Sequence, residues 1–318
     1  MVDDLILDLP TLPRPRTKVA LLHFLITYIH SRSSLIHAAS VIHYVYAMDK
    51  TINLPTQNTA INPDANPFDS KQALESSNYA GFIDKKLVAG EDLSEKPDPL
   101  LGFIHDSFRS LVLNPQFSCV GAKSAIQQGG YRFGHYDELA STEATAGLAR
   151  DLFRFLQEQP MLKGEFSTFV ATFSNPIIHS EDQFEKLLWQ QLQKLYEVDA
   201  PLHAWDSQVS DDPDNPHFAF SFATQSFFVV GLHPAASRYT RRFAWPTLVF
   251  NLHAQFEQLR EEGRFERMQE VIRSRETALQ GSLNENLTDY GSKSDARQYS
   301  GRPVSDDWQC PFSTKKDD

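Results

Sequence analysis

The sequence predicts an α+β fold: a single domain in which a mainly antiparallel sheet packs against helices, preceded by an N-terminal helical extension. Three observations carry that expectation. Residues 218–223 and 226–232 are short aromatic and β-branched runs separated by Thr224 and Gln225, the pattern of two strands in a hairpin. Phe184, Leu188, Leu192 and Leu195 recur at helical spacing behind Ser180 and Gln183, which make a capping-box start. No glycine- or serine-rich linker divides the 318 residues into halves, so one core with a long N-terminal addition is the simpler organisation. Residues 1–97 are read as extension and polar loop, and 98–318 as the folded domain.

Taken in order, the chain begins with a mostly apolar run at 19–29 behind Arg14, Arg16 and Lys18. This resembles the first two regions of a secretory signal, but the run is too short to span a bilayer, contains His23 and lacks a small-residue cleavage site. His23, His30 and His37 fall seven apart, which on a helix separates neighbours by ~10.5 Å, too far to share one ion. The segment reads as a partly buried amphipathic helix, and Met48 offers a second start to the soluble domain. Residues 51–97, rich in Asn, Pro, Asp and Ser, read as loop with at most one short helix.

Asp98-Pro99 supplies an N-cap and a first-turn proline for a helix that buries Leu100, Ile104, Phe108 and Leu111. Residues 114–122 read as a turn into a short strand and 131–136 as another strand, with Gln127, Gln128, Gly129 and Gly130 as the turn between them. A helix over 141–158 on the stripe Leu148, Leu152 and Phe155 follows, then a strand over 165–173, the capped helix at Ser180, and a polar loop over 206–215. The run FFVVGL at 227–232 has no polar alternation, which suggests a strand dry on both faces; Pro234 stops it with His233 at its tip. After Trp245-Pro246 a helix is expected to carry Asn251, His253, Gln255 and Glu257 on its polar face. Its apolar stripe is Val249, Leu252, Phe256 and Leu259, and Gly263 closes it. A second helix over 264–280 buries Phe265, Met268 and Ile272 before Gly281. The tail 283–312 is aperiodic, and Trp308 with Cys310-Pro311-Phe312 favours a segment held by specific contacts.

Acidic side chains outnumber basic ones, 41 to 30, which argues against nucleic acid as a partner because phosphate binding needs clustered positive charge. No membrane partner is expected. The local cluster Arg238, Arg241 and Arg242 suits one small anion. Two cysteines, Cys119 and Cys310, are too few for a disulfide scaffold, so a reduced, cytoplasmic protein is the default; a bridge or shared site between them is the alternative. GxGxxG, P-loop, HExxH, paired CxxC and GxSxG motifs are all absent from the sequence.

The residues leave the central stretch open to two readings. His233, at the end of a dry strand beside the arginines, is either part of an anionic cofactor site or a strand-end histidine bonded to a carbonyl. His253 and Glu257, four apart, are a polar pair over a site or caps on neighbouring chains.

From about Asn114 to Phe312 the chain resembles the YqcI/YcgG family, whose members carry an FPC motif near the start of the domain and a CPF motif at its end. The second is intact as Cys310-Pro311-Phe312; the first stands as Phe117-Ser118-Cys119, with serine for proline. Between them the resemblance runs through FVVGLHP at 228–234, SR at 237–238, RRF at 241–243, VFNLH at 249–253, QFE at 255–257 and ARQYSGR at 296–302. It implies a heme-dependent N-hydroxylase, since characterised relatives oxidise guanidine nitrogens of arginine-like amino acids. Heme b with its iron would be the cofactor and O2 the co-substrate. An amine or guanidino compound would be the substrate, and an external donor would supply electrons. A heme carrier or sensor without turnover is the alternative, and a cofactor-free binding protein a third reading; a homodimer is compatible with all of them.

Under this resemblance His233 is the expected axial metal ligand and the thiolate of Cys119 its rival, since thiolate favours O–O cleavage. Arg238, Arg241 and Arg242 would hold propionates or a substrate carboxylate. His253 and Glu257 are the expected catalytic pair, and Tyr299 and Arg302 a clamp on the cofactor.

Overall fold

The computed structural model describes residues 65–284 and 292–314. The readings of 19–29, of His23, His30 and His37, and of Met48 lie outside the described residues. The compact unit that contains the sheet is Asp64–Asp318.

Seven strands form one sheet in the order β2-β1-β3-β4-β7-β6-β5. They are β1 (Tyr79–Ile83), β2 (Lys86–Ala89), β3 (Tyr131–Glu138), β4 (Thr168–Asn175), β5 (Phe220–Phe222), β6 (Gln225–Leu232) and β7 (Thr247–Leu252). Every neighbouring pair is antiparallel except β3 and β4. A parallel pair needs a crossover, and the helix Thr142–Glu158 supplies the chain between those two strands. The mainly antiparallel α+β expectation is met.

Eight helices accompany the sheet among the described residues: α1 (Lys71–Ser76), α2 (Pro99–Leu113), α3 (Val120–Gln128), α4 (Thr142–Glu158), α5 (Glu181–Asp199), α6 (His253–Glu261), α7 (Phe265–Gln280) and α8 (Ala296–Tyr299). Two apolar layers separate them, because alternate side chains of a strand point to opposite faces. On one face Phe169, Phe173, Val229 and Phe250 meet Leu148, Leu152 and Phe155 of α4 and Phe184, Leu188, Leu192 and Leu195 of α5. On the other, Phe133, Val170, Leu232 and Val249 meet Leu101, Ile104, Phe108 and Val112 of α2. A strand so covered has no polar alternation, which is why 227–232 reads as dry.

Local chemistry sets the helix starts. Asp98 caps α2 by accepting from the Leu100 and Leu101 amides, Ser141 caps α4 through the Ala144 amide, and Ser180 caps α5 through that of Gln183. Gly231 has a packing reason of its own. A Cβ there would come within 2.4 Å of the Phe184 ring, so its absence lets α5 seat directly on β6.

Four expectations are corrected. Residues 71–89 are not loop with one short helix: besides α1 they hold β1 and β2, and β1 pairs with β3, so a boundary at 97/98 falls after two strands of the same sheet. The hairpin turns through Asp84 and Lys85, both at positive φ, where glycine or asparagine would have announced it. Residues 120–128 are helix rather than strand, started by Cys119, whose sulfur accepts from the Ala122 amide at 3.4 Å. Residues 247–252 are strand β7 rather than the first turns of a helix; β-branched and apolar side chains pair there between β4 and β6, and the helix begins only at His253. The α2 stripe differs at its first position: Leu101 is buried and Leu100 faces outward, while Ile104 and Phe108 are buried as expected.

The tail is anchored at its end. Phe312 sits among Trp189, Tyr196, Trp205, Phe218 and Phe220, with ring centroids between 5.6 and 6.2 Å away. No helix among the described residues is long and apolar enough to cross a membrane.

Candidate functional site

A cavity of about 310 Å³ lies on the α2 face of the sheet, within the size range of small-molecule sites. Its floor is β4, β6 and β7, through Thr168, Phe228, Val230, Val249 and Asn251. Its walls come from the segment 117–125 and from α7, which contributes Phe265, Met268 and Ile272. α6 follows β7 directly, so His253 and Phe256 are delivered to the same space.

Two polar groups interrupt this apolar wall. The first joins Cys119, Arg238, Thr240, Arg241 and Glu276. The Cys119 thiol is half-buried, and burial pushes its pKa up, while the Gly121 and Ala122 amides and Arg241 act in the other direction. Arg241 is half-buried too, and desolvation pushes its guanidinium down to about 10. It nevertheless donates to the carbonyls of Gly231, Tyr299 and Gln298 at 3.1 Å, tying the tail to β6. Arg238 donates through Nη1 to the Ser282 carbonyl at 2.9 Å and hydroxyl at 3.1 Å, and its Nε is 4.0 Å from a Glu276 oxygen. The Thr240 hydroxyl donates to the same carboxylate at 3.2 Å.

The second group joins His253, Arg260 and Asp295 on the wall, with Glu257 behind them. His253 Nδ1 is 3.5 Å from a Glu257 oxygen, which also accepts from Arg260 at 2.6 Å. Burial pushes the His253 imidazole down, toward its neutral form. Burial pushes the Asp295 carboxyl up to about 7.

Of the residues the sequence singled out, Cys119, Arg238, Arg241 and His253 meet at this cavity. Glu257 does not line it and is tied to it through His253 and Arg260. His233, the expected ligand, does not line it. β6 turns Leu232 toward the cavity and therefore His233 toward α5, where its ring stacks on Phe184 at 4.3 Å. Arg242 donates to the Ala236 carbonyl at 3.0 Å and lies over the Tyr239 ring. The Tyr299 hydroxyl donates to the Phe227 carbonyl and accepts from the Phe220 amide, bracing the hairpin. Arg302 pairs with Glu185 and Asp182 of α5. The cysteines are both free thiols; Cys119 faces the cavity side and Cys310 packs with the opposite layer, so they share no site.

The sequence reading did not single out Glu276, Arg260 and Asp295. The first two lie among many exposed helical charges and Asp295 among many polar tail residues, so only tertiary placement distinguishes them.

Among the described residues no cluster of three or more His, Cys, Asp and Glu is placed to hold a bare metal ion. Heme asks less of a protein: an axial donor, an apolar slot and cations. The cavity wall carries a thiol and an imidazole as donors, phenyl and aliphatic side chains, and the guanidinium groups of Arg238 and Arg241. The donor set therefore fits heme, with Cys119 or His253 in place of His233.

The YqcI/YcgG family model matches residues 108–313, and every residue that lines the cavity lies inside that span. No curated protein and no solved structure matches the chain.

Proposed function

Because the chain belongs to the YqcI/YcgG family, we propose that it is a heme-dependent monooxygenase that hydroxylates an amine or guanidine nitrogen of an amino-acid-like substrate. The observation that carries this reading is the apolar cavity whose wall carries a thiol and an imidazole in two separate polar groups. Bound heme b would supply iron for O2 activation, with electrons from an external donor.

Cys119 would hold the iron through sulfur. Burial favours the neutral thiol, and the Gly121 and Ala122 amides at the start of α3 would stabilise the charge on sulfur when Cys119 holds iron as thiolate. His253 is buried as a neutral base, oriented by Glu257 in the manner that carboxylates orient catalytic imidazoles. It would accept or return a proton at the substrate nitrogen. Asp295, poised near neutrality, would pair with a cationic nitrogen and take up its proton as that charge is lost. Phe166, Phe228, Phe256 and Phe265 exclude water around these groups. Two unpaired thiols agree with a reducing, cytoplasmic setting.

Protein produced with adequate iron is scanned for a Soret band and then incubated with arginine, a reductant and O2, followed by mass analysis. A Soret band and a product heavier by one oxygen are expected. A Soret band with no oxidised product across a guanidino and amino-acid panel favours the carrier or sensor, and no Soret band sinks the heme reading.

A further inference from the structure

We propose that the part of the cavity bounded by Arg238, Arg241 and the start of α3 is a carboxylate-binding subsite, with Arg238 Nη2 as its donor. Arg238 is 7 % exposed and lines the cavity, yet its Nη2 has no hydrogen-bond partner among the described residues. A buried guanidinium donor left unpaired is costly, and a ligand oxygen that accepts from it recovers that cost.

The surroundings favour an anion. Nη1 is satisfied by Ser282, and the closest acid, Glu276, stands 4.0 Å from Nε and already accepts from Thr240. Arg241 adds a second, half-buried positive charge, fixed by three backbone carbonyls. The first turn of α3 adds a third positive contribution, because Gly121 and Ala122 line the same space at the positive end of the helix dipole. One acid against two guanidinium groups and a helix start leaves a net positive pocket. Its otherwise apolar wall admits a carboxylate carried on a hydrocarbon body.

Two sources offer that chemistry, a porphyrin propionate and the carboxylate of an amino-acid substrate. This inference deepens the proposed function, and its choice of probes rests on that reading. The test uses the full chain and two pairs of compounds that differ in the carboxylate: hemin against its dimethyl ester, followed by Soret absorbance, and L-arginine against agmatine, followed by calorimetry. In wild-type protein the acid of at least one pair is expected to bind about tenfold or more tightly than its partner, the worth of one charged hydrogen bond. Arg238→Gln is expected to erase that preference.

Preference within the hemin pair assigns the anion to a propionate; preference within the arginine pair assigns it to substrate. Equal affinity within both pairs, no binding of any of the four, or a preference that survives in R238Q overturns the subsite. The wild-type comparison decides the matter even where the variant does not fold. If neither porphyrin gives a Soret band while arginine is still preferred to agmatine, the heme reading fails and the subsite stands.

Discussion

The imidazole of His233 lies on the ring of Phe184, centroids 4.3 Å apart and planes 25° from parallel. Its Nδ1 has no hydrogen-bond partner among the described residues, and the side chain is buried against α5 rather than open to the cavity. The ring acts here as a flat apolar filler, and its polarity is a cost to the folded state.

That cost predicts a pH signature. Burial pushes His233 from 6.5 down to about 4. Between those values the unfolded chain binds the proton and the folded chain does not, so stability falls as pH drops from about 6.5 toward 4. His105, pushed down to about 4 as well, contributes in the same direction. His233→Phe is expected to keep stability at neutral pH within about 1.5 kcal/mol of wild type and to flatten its loss on acidification. Urea midpoints of the two proteins near pH 7.5 and near pH 5 check this; an equal acid loss in both would contradict it. His233→Ala, which leaves a void under α5, is expected to cost roughly 2–4 kcal/mol.

Asp151 predicts how strongly the first strands are held. Its buried carboxylate accepts from the Ser77 hydroxyl at 2.5 Å, the Asn78 amide at 3.0 Å and the Tyr136 hydroxyl at 2.8 Å, joining α4 to the start of β1 and to β3. Asp151→Ala is expected to lower unfolding free energy by about 3 kcal/mol or more, since the buried Tyr136 hydroxyl and two half-buried donors lose their acceptor at once. Chemical denaturation measures it, and a change below about 1 kcal/mol would show that β1 is held by other means.

These residues also show what could be read from the chain. The stripe Phe184, Leu188, Leu192 and Leu195 repeats one helical face over three turns, and the 218–232 hairpin has two unbroken β-rich runs, so both were legible. Val249, Leu252, Phe256 and Leu259 also fall at helical spacing, but they straddle a strand-to-helix junction, and pairing between β4 and β6 decides the first half. β1 and β2 were hidden because Asp84-Lys85 turns the chain without a glycine. The lining of the cavity was partly legible. Cys119, singled out through the resemblance, and Arg238, Arg241 and His253, singled out by type and position, line the cavity, whereas His233 does not, because strand parity says that neighbours face opposite ways without saying which face is hollow.

Phe312 predicts the worth of the tail. It is 3 % exposed and touches five aromatic rings. Phe312→Ala is expected to cost about 3–5 kcal/mol, read as a fall in urea midpoint with an unchanged slope. A loss under about 1 kcal/mol would show that the segment lies on the surface without stabilising the fold.

The proposed function places heme in the cavity on the α2 face and not at the His233 tip of β6. The most direct measurement is the absorbance spectrum of heme-loaded wild type, Cys119→Ala and His233→Phe side by side. The spectrum is expected to be lost or grossly changed in Cys119→Ala and unchanged in His233→Phe. An unchanged Cys119→Ala spectrum together with a lost Soret band in His233→Phe would contradict it.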